Sequence, residues 1–269
     1  MPSARKWMGD ILLRSPAPLR GLRKVPVLGE FIHRLSHRIL PADERAWVQV
    51  EKGPAQGLWL ELNPRTGQDY LRGEAESPVQ TILAERLRPG MVFYDLGANI
   101  GFYSLLAARI LGANGQVFSF EPDTKAAERL HLNIARNGFQ NVTVVEAAVW
   151  SRSGTMNFAA ADPSSPDQGT GRIEAEGDAA SGKLTRCVAL DDFASSAPPP
   201  DAIKCDAEGA EVEVLRGAKN LLKTLRPWIV CEMHSDANDR ASREFLSGLG
   251  YAFETVDVNH VIALPGNLT

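Results

Sequence analysis

From Met91 onward the sequence alternates short, almost uninterrupted apolar runs with amphipathic stretches, and this alternation constrains the fold more than any other feature. MVFYDL, QVFSFE and VTVVEAAV are rich in β-branched and aromatic residues, and FYSLLAARIL and TKAAERLHLNIARNG between them read as helices. DAIKCD, PWIVCEM and YAFETV continue the series, separated by the helical stretches EVEVLRGAKNLLKTL and ANDRASREFLSGL. Strands that are apolar along their whole length must be covered on both faces, so the pattern predicts an α/β fold on a mostly parallel sheet. The runs around Phe253 and Val261–Leu264 are joined by too few residues for a crossover, which predicts an antiparallel last strand.

Upstream, Trp47–Val50 and Leu58–Leu62 alternate apolar and polar residues across a Gly- and Pro-containing stretch and read as a β-hairpin. A helix then starts with Ser77 as cap, Pro78 in the first turn and Gln80 closing a capping box, and Arg88-Pro89-Gly90 ends it. Residues 159–182 and 194–201 are small and polar and read as loops, the first either a lid or a surface insertion. Residues 1–40 form a head of their own, in which Leu28, Phe31, Ile32, Leu35 and Ile39 share one helical face.

Charge divides the chain at the same place. The head carries eight Lys and Arg against two acids, a balance of +6, while the remainder stands at -10. An acidic body lacks the positive groove of a nucleic-acid enzyme. The basic head suits contact with an anionic membrane surface or a protein partner, unless its apolar stripe packs on the body. No apolar run is long enough to span a bilayer, and basic residues interrupt every apolar stretch before residue 40, so no secretory signal is read there. Cys187, Cys205 and Cys231 are odd in number, lie among apolar neighbours and lack metal-ligand spacing; they read as reduced thiols of a cytoplasmic protein, one that is at most peripheral to the membrane.

The first candidate site is the strand-to-helix turn Asp95-Leu96-Gly97-Ala98-Asn99-Ile100-Gly101, where glycines let a ligand approach a helix N-terminus. A dinucleotide fingerprint would need glycines where Asn99 and Phe102 stand, which disfavours an NAD-dependent oxidoreductase. Asp95 would repel a pyrophosphate but suits a cationic ligand such as S-adenosylmethionine. Glu121, at the end of the next strand, stands near the spacing at which a carboxylate accepts both ribose hydroxyls, and Pro122 breaks the strand behind it. The third strand ends at Glu146-Ala147, where Glu146 either accepts from an adenine amino group or is a solvated loop acid.

VFYDLGANIGFYS, FSFEPD, LHLNIARNG, IKCDAEGAEVEVLRGA and IVCEMH together resemble the FkbM-type S-adenosylmethionine-dependent methyltransferases, in consistent order over roughly residues 70 to 264. The resemblance implies a Rossmann-like class I methyltransferase fold, with a seven-stranded sheet, and methyl transfer to a hydroxyl of a sugar, polyketide or other secondary metabolite. It places Asp95, Gly97, Ala98, Asn99, Gly101 and Glu121 at the cofactor. Asp206, Glu208, Gly209 and Glu211 fall on a DxEGxE motif, and Glu232 and His234 on an ExH motif. Cys205 and Ala207 depart from the usual aliphatic residues, a matter of packing. The chain then divides into the head (1–40), a hairpin and cap region (41–75) and a methyltransferase domain (76–269). A catalytically silent scaffold docking through the head is the competing class, and the intact cofactor acids argue against it.

At the reacting end, Asp206 closes one strand and Glu232 and His234 the next, the latter two on one face. A hydroxyl is a poor nucleophile at neutral pH, so a base is needed. His234 is the only histidine at a strand terminus beside the expected cofactor; His131 reads as a helix-face residue and His260 as a turn residue. Three roles stay open: His234 as base with Asp206 or Glu232 orienting it, Asp206 as base, or Asp206, Glu232 and His234 holding a divalent cation. Asp206 and Glu208 can also cap a helix over 208–222. Glu211 is expected behind the reacting groups, and Glu76 and Tyr103 at the border of an acceptor pocket. Deleting residues 1–38 should leave S-adenosylmethionine binding intact while reducing sedimentation with anionic liposomes. Loss of cofactor binding would instead make the head part of the fold.

Overall fold

A computed structural model describes residues 45–63, 67–159, 172–173 and 183–266. The head at 1–40, with its docking reading, and most of the 159–182 segment, with its lid reading, lie outside the described residues. The described chain falls into two compact units that meet between Ala75 and Glu76 in sequence. In the first, β1 (Ala46–Gln49) and β2 (Trp59–Leu62) form the expected hairpin with Val48 opposite Leu60, and both of these side chains are buried. Helix α1 (Gln68–Arg72) follows and ends on Gly73 in the left-handed region.

The second unit begins with α2 (Ser77–Arg86), β3 (Val92–Leu96), α3 (Phe102–Leu111), β4 (Gln116–Phe120), α4 (Thr124–Asn137) and β5 (Val142–Val145). Four short strands come next, β6 (Ala148–Val149), β7 (Gly154–Ala159), β8 (Arg172–Ile173) and β9 (Lys183–Val188), and then α5 (Leu190–Phe193). The chain closes with β10 (Ala202–Cys205), α6 (Glu211–Gly217), α7 (Lys219–Thr224), β11 (Trp228–Glu232), α8 (Asp236–Gly248), β12 (Tyr251–Thr255) and β13 (His260–Pro265). The main sheet has seven strands in the order β12-β13-β11-β10-β3-β4-β5. Pairing is parallel from β11 to β5, and only β13 runs against its neighbours, as the short β12–β13 connection requires.

Side chains are buried on both faces of this sheet, Phe93 and Val117 on one and Tyr94, Phe118 and Phe120 on the other. Tyr94, Phe118 and Phe120 surround Phe193 with ring centroids 4.9–5.6 Å apart, and the Tyr94 hydroxyl donates to the Pro198 carbonyl at 2.7 Å. Edge-to-face rings with a satisfied hydroxyl combine large apolar burial with a fixed geometry. All three cysteines are buried and unbridged. Among the described residues no helix is long and apolar enough to cross a membrane.

Three local expectations are corrected. VTVVEAAV is not one strand: both Glu121 N and Ala147 N donate to the Val145 carbonyl, so the chain turns at Glu146 and β6 joins a second sheet, β6-β9-β7-β8. That sheet also takes Arg172 and Ile173 out of the loop reading. The helix expected over 208–222 begins only at Glu211, because Glu208 (φ 49°) and Gly209 (φ 94°) are left-handed, and it breaks after Gly217. A Cβ at Gly217 would meet the Trp150 carbonyl at 2.1 Å, so the break marks a close crossing of the two segments. Neither Asp206 nor Glu208 caps it; the cap residue is Ala210, without a side-chain bond. Likewise Ser77 lies inside the first turn of α2, and the cap is Glu76, left-handed at φ 39° and making no cap bond with its side chain. Its carboxylate is committed elsewhere, as described below. Asp123 does cap α4, accepting from Ala126 N at 2.9 Å.

The carboxyl ends of β3, β4, β10 and β11 meet at one edge, and the tightest approach there is Gly97 (φ 75°), whose Cβ would stand 2.0 Å from the Asp206 carbonyl oxygen. Gly97→Ala should therefore destabilise the fold by about 2–4 kcal/mol, left-handed strain plus overpacking. Gly90→Ala, also at positive φ but with nothing within 4 Å, should cost only about 1–2 kcal/mol by the strain alone. Denaturant midpoints of the two variants measure the difference.

Candidate active site

The glycine turn after β3 is held by the chain itself. Gly97 N and Ala98 N donate to the Phe120 carbonyl at 3.1 and 2.9 Å, and Asn133 Nδ2 donates to the Ile100 carbonyl at 2.8 Å. Glu121 accepts from Asn99 N (2.7 Å, Oε2) and Asp123 N (2.8 Å, Oε1), so one carboxylate ties the turn to the start of α4. Burial raises the Glu121 pKa to about 7 against the pull of these two N–H groups. Asp95 is fully buried beneath the turn; its Oδ2 accepts from Ser104 Oγ at 2.5 Å, Ser119 Oγ backs Ser104 at 2.7 Å, and Oδ1 makes no hydrogen bond. Burial raises its pKa as well.

Asp206 continues β10 past the same turn, and Lys204 lies two residues before it, 3 % exposed in the centre of the sheet. Its Nζ donates to Asp206 Oδ2 at 2.9 Å and stands 4.9 Å from the Tyr103 ring centroid. Burial opposes the charge on Lys204, but Asp206, Asp95 and Glu76 outweigh it and raise its pKa. Burial raises the pKa of Asp206 despite Lys204.

His234 stands over this pair. Its Nδ1 lies 2.8 Å from Oε1 of Glu211, which is fully buried in the first turn of α6 and accepts further bonds from Gly209 N and Asn238 Nδ2, both at 2.9 Å. Nε2 faces the carboxylates of Glu208 (3.3 Å) and Asp206 (3.6 Å). The Glu211 bond, working against burial, raises the His234 pKa to about 9. Burial, with Asp206 nearby, raises that of Glu208 to about 7. Asp206, Glu232 and His234 offer ligand atoms all within 4.8 Å of one another, so the expected trio is brought together.

On the other side of Glu232 lies His260, which is buried on β13 and not a turn residue. Asp257 Oδ1 stands 2.8 Å from its Nδ1, and Glu76 Oε2 and Glu232 Oε2 stand 3.3 and 3.7 Å from its Nε2. Burial lowers its pKa, but the three carboxylates prevail and raise it to about 10. The nearby His260 ring lowers the pKa of Glu232; Glu76, where burial works the other way, is lowered by His260, Lys204 and Tyr103. Tyr103 Oη donates to Glu76 Oε2 at 2.8 Å, so these two residues join the same cluster. Of the four non-glycine residues at positive φ among the described residues, Glu76, Asn99 and Glu208 belong here, the concentration of strain expected at a functional site.

A family model described as the methyltransferase FkbM domain matches residues 95–253. The chain belongs to the FkbM methyltransferase family. It is similar to the hexuronic acid methyltransferase AglP of Haloferax volcanii, 29 % identical over 192 residues that make up 70 % of this chain and 74 % of the relative. Among solved structures it is similar to an FkbM methyltransferase of Methylobacillus flagellatus KT, at 16 % identity and a TM-score of 0.49, covering 74 % of this chain and 60 % of that one. A precorrin-6y C5,15-methyltransferase of Geobacter metallireducens GS-15 is also similar, at 19 % identity and a TM-score of 0.46, covering 71 % of this chain and 89 % of the other.

In this FkbM methyltransferase the expected cofactor residues converge, except that Glu146 is half exposed, 3.7 Å from His131, beside the fully buried Ala147, while Pro122 is partly buried. Sequence reasoning missed Lys204, Asp257 and the partners of His260, and it gave the orientation of His234 to Asp206 or Glu232, where the structure has Glu211 on Nδ1. A lysine inside the apolar run AIKC was the one visible signal.

Folding raises the pKa of Glu121 and Glu208 from 4.5 to about 7, of His234 from 6.5 to about 9 and of His260 from 6.5 to about 10. The native state therefore binds more protons than the unfolded one across these windows, and stability must fall as pH rises through them. Calorimetry should give a higher Tm at about pH 6 than at about pH 10. A His234→Gln, His260→Gln double variant should lose the part of the slope above neutrality.

Proposed function

We propose that this methyltransferase binds S-adenosylmethionine at the Gly97–Gly101 turn and Glu121 and methylates a hydroxyl oxygen of a sugar or comparable polyhydroxylated small molecule, with His234 as base. The site chemistry supports the cofactor. Asp95 Oδ1 is a buried acceptor without a hydrogen bond, and each Glu121 oxygen has one backbone donor and a second lone pair free for a ribose hydroxyl. S-adenosylmethionine supplies an electrophilic methyl group when bound; the protein's own task is to place the acceptor oxygen and take its proton.

The observation that carries the base assignment is the fully buried Glu211 on Nδ1 of His234. It fixes the ring and directs Nε2 toward the Asp206 end of β10, which touches the glycine turn through Gly97. The Glu211 carboxylate stabilises the imidazolium formed when Nε2 takes the hydroxyl proton. Glu208, near 7, stands beside Nε2 and can pass that proton to solvent. A sugar as acceptor rests on the likeness to AglP, whose substrate is a hexuronic acid.

Incubation with isotope-labelled S-adenosylmethionine and candidate sugars, read by mass spectrometry, tests the activity. His234→Ala should lower kcat by about 10²–10⁴-fold with cofactor affinity nearly unchanged. The wild-type kcat should rise with pH toward about 9, since Nε2 must first lose its proton, and Glu211→Gln should move that midpoint down. Near-normal turnover by His234→Ala would pass the role of base to Asp206.

A further inference from the structure

We propose that Glu76, Glu232 and His260 form a binding site for one divalent cation of the manganese or magnesium class, separate from the trio around His234 and sharing only Glu232 with it. The ligand atoms of the three residues lie within 4.8 Å of one another. Ligands at about 2.1 Å from an octahedral ion stand about 3.0 Å apart along an edge. The 3.3 Å from Glu76 Oε2 to His260 Nε2 and the 3.7 Å from Glu232 Oε2 to the same atom need only small side-chain shifts to reach that geometry.

An independent observation points to a ligand. The His260 side chain is only 6 % exposed, and its Nε2, aimed between the two carboxylates, makes no hydrogen bond. Its other nitrogen is already taken by Asp257 at 2.8 Å. A carboxylate on Nδ1 fixes the ring and raises the basicity of Nε2, which is how metal-binding imidazoles are supported. Glu76 is supported too, by the Tyr103 hydroxyl at 2.8 Å. The donor set of two carboxylates and one imidazole suits Mn²⁺, and Mg²⁺ more weakly. Lys204, whose charge also acts on Glu76 and Glu232, directs its Nζ to Asp206 at 2.9 Å. Coordination uses the Nε2 lone pair, so the proton that His260 carries below about pH 10 leaves to solvent as the ion binds, and affinity rises with pH. His234 is not one of its three ligands, having Glu211 on its Nδ1 and Nε2 toward Glu208 and Asp206.

The test is titration of the full chain with Mn²⁺ alone, reading free Mn²⁺ by electron paramagnetic resonance. One ion per chain should bind. Glu76→Gln and His260→Gln should each weaken binding by tenfold or more, and Asp257→Asn, which keeps the side-chain shape, by about tenfold. Mn²⁺ affinity should be unchanged in His234→Gln. No depletion of free Mn²⁺ at millimolar concentrations overturns the proposal, as does a loss of affinity in His234→Gln without one in His260→Gln. Should His260→Gln not fold, unchanged affinity in both Glu76→Gln and Asp257→Asn overturns it. Titrating S-adenosylmethionine into the same samples separates the two inferences, because the cofactor reading can fail while Mn²⁺ binds, and the reverse.

Discussion

The site rests on one ion pair, between Lys204, buried in the central strands of the sheet, and the partly buried Asp206 at their carboxyl end. A lone buried ammonium costs several kcal/mol, and so does each buried carboxylate; paired at 2.9 Å they make each other tolerable. The same ammonium also acts on Asp95 and Glu76, so one cation supports acids from β3, β10 and the start of α2. Without it, Asp95, Asp206 and Glu76 would repel one another with less to offset them at the carboxyl edge of the sheet.

Around that pair the two histidines repeat one arrangement. Each has a carboxylate on Nδ1, Glu211 for His234 and Asp257 for His260, and each turns Nε2 toward further acids. Glu232 lies between them. The difference is enclosure: the His260 side chain is 6 % exposed and that of His234 24 %. The more open ring suits exchange of a proton with an acceptor, and the closed one suits a fixed ligand role.

Strain accompanies this geometry. Glu76, Asn99 and Glu208 adopt left-handed backbone, at a cost of about 1–2 kcal/mol for each glutamate and less for the asparagine. In two of them the gain is visible. Asn99 N reaches Glu121, and the turn at Glu76 sends its carboxylate to Tyr103 and His260 instead of to the helix it begins.

The layered fold was legible in the sequence because β-branched runs and amphipathic stretches of the right length leave a parallel sheet little alternative, and the short link from β12 to β13 forces antiparallel pairing. The strand-end acids Asp95, Glu121, Asp206 and Glu232, and His234 with them, were legible because strand ends of a parallel sheet gather at one edge. The turn at Glu146, the late start of α6 and the missing Ser77 cap were not: the first depends on the bond from Glu121 N to the Val145 carbonyl, and the other two on left-handed backbone at Glu208, Gly209 and Glu76. Lys204 showed only as a charge in an apolar strand; its meaning needs Asp95 from the neighbouring strand. His260 looked like a turn residue and Asp257 carried no reading at all, because nothing local distinguishes them. Only the antiparallel insertion of β13 beside β11 brings His260 opposite Glu232, and that register is a property of the assembled sheet.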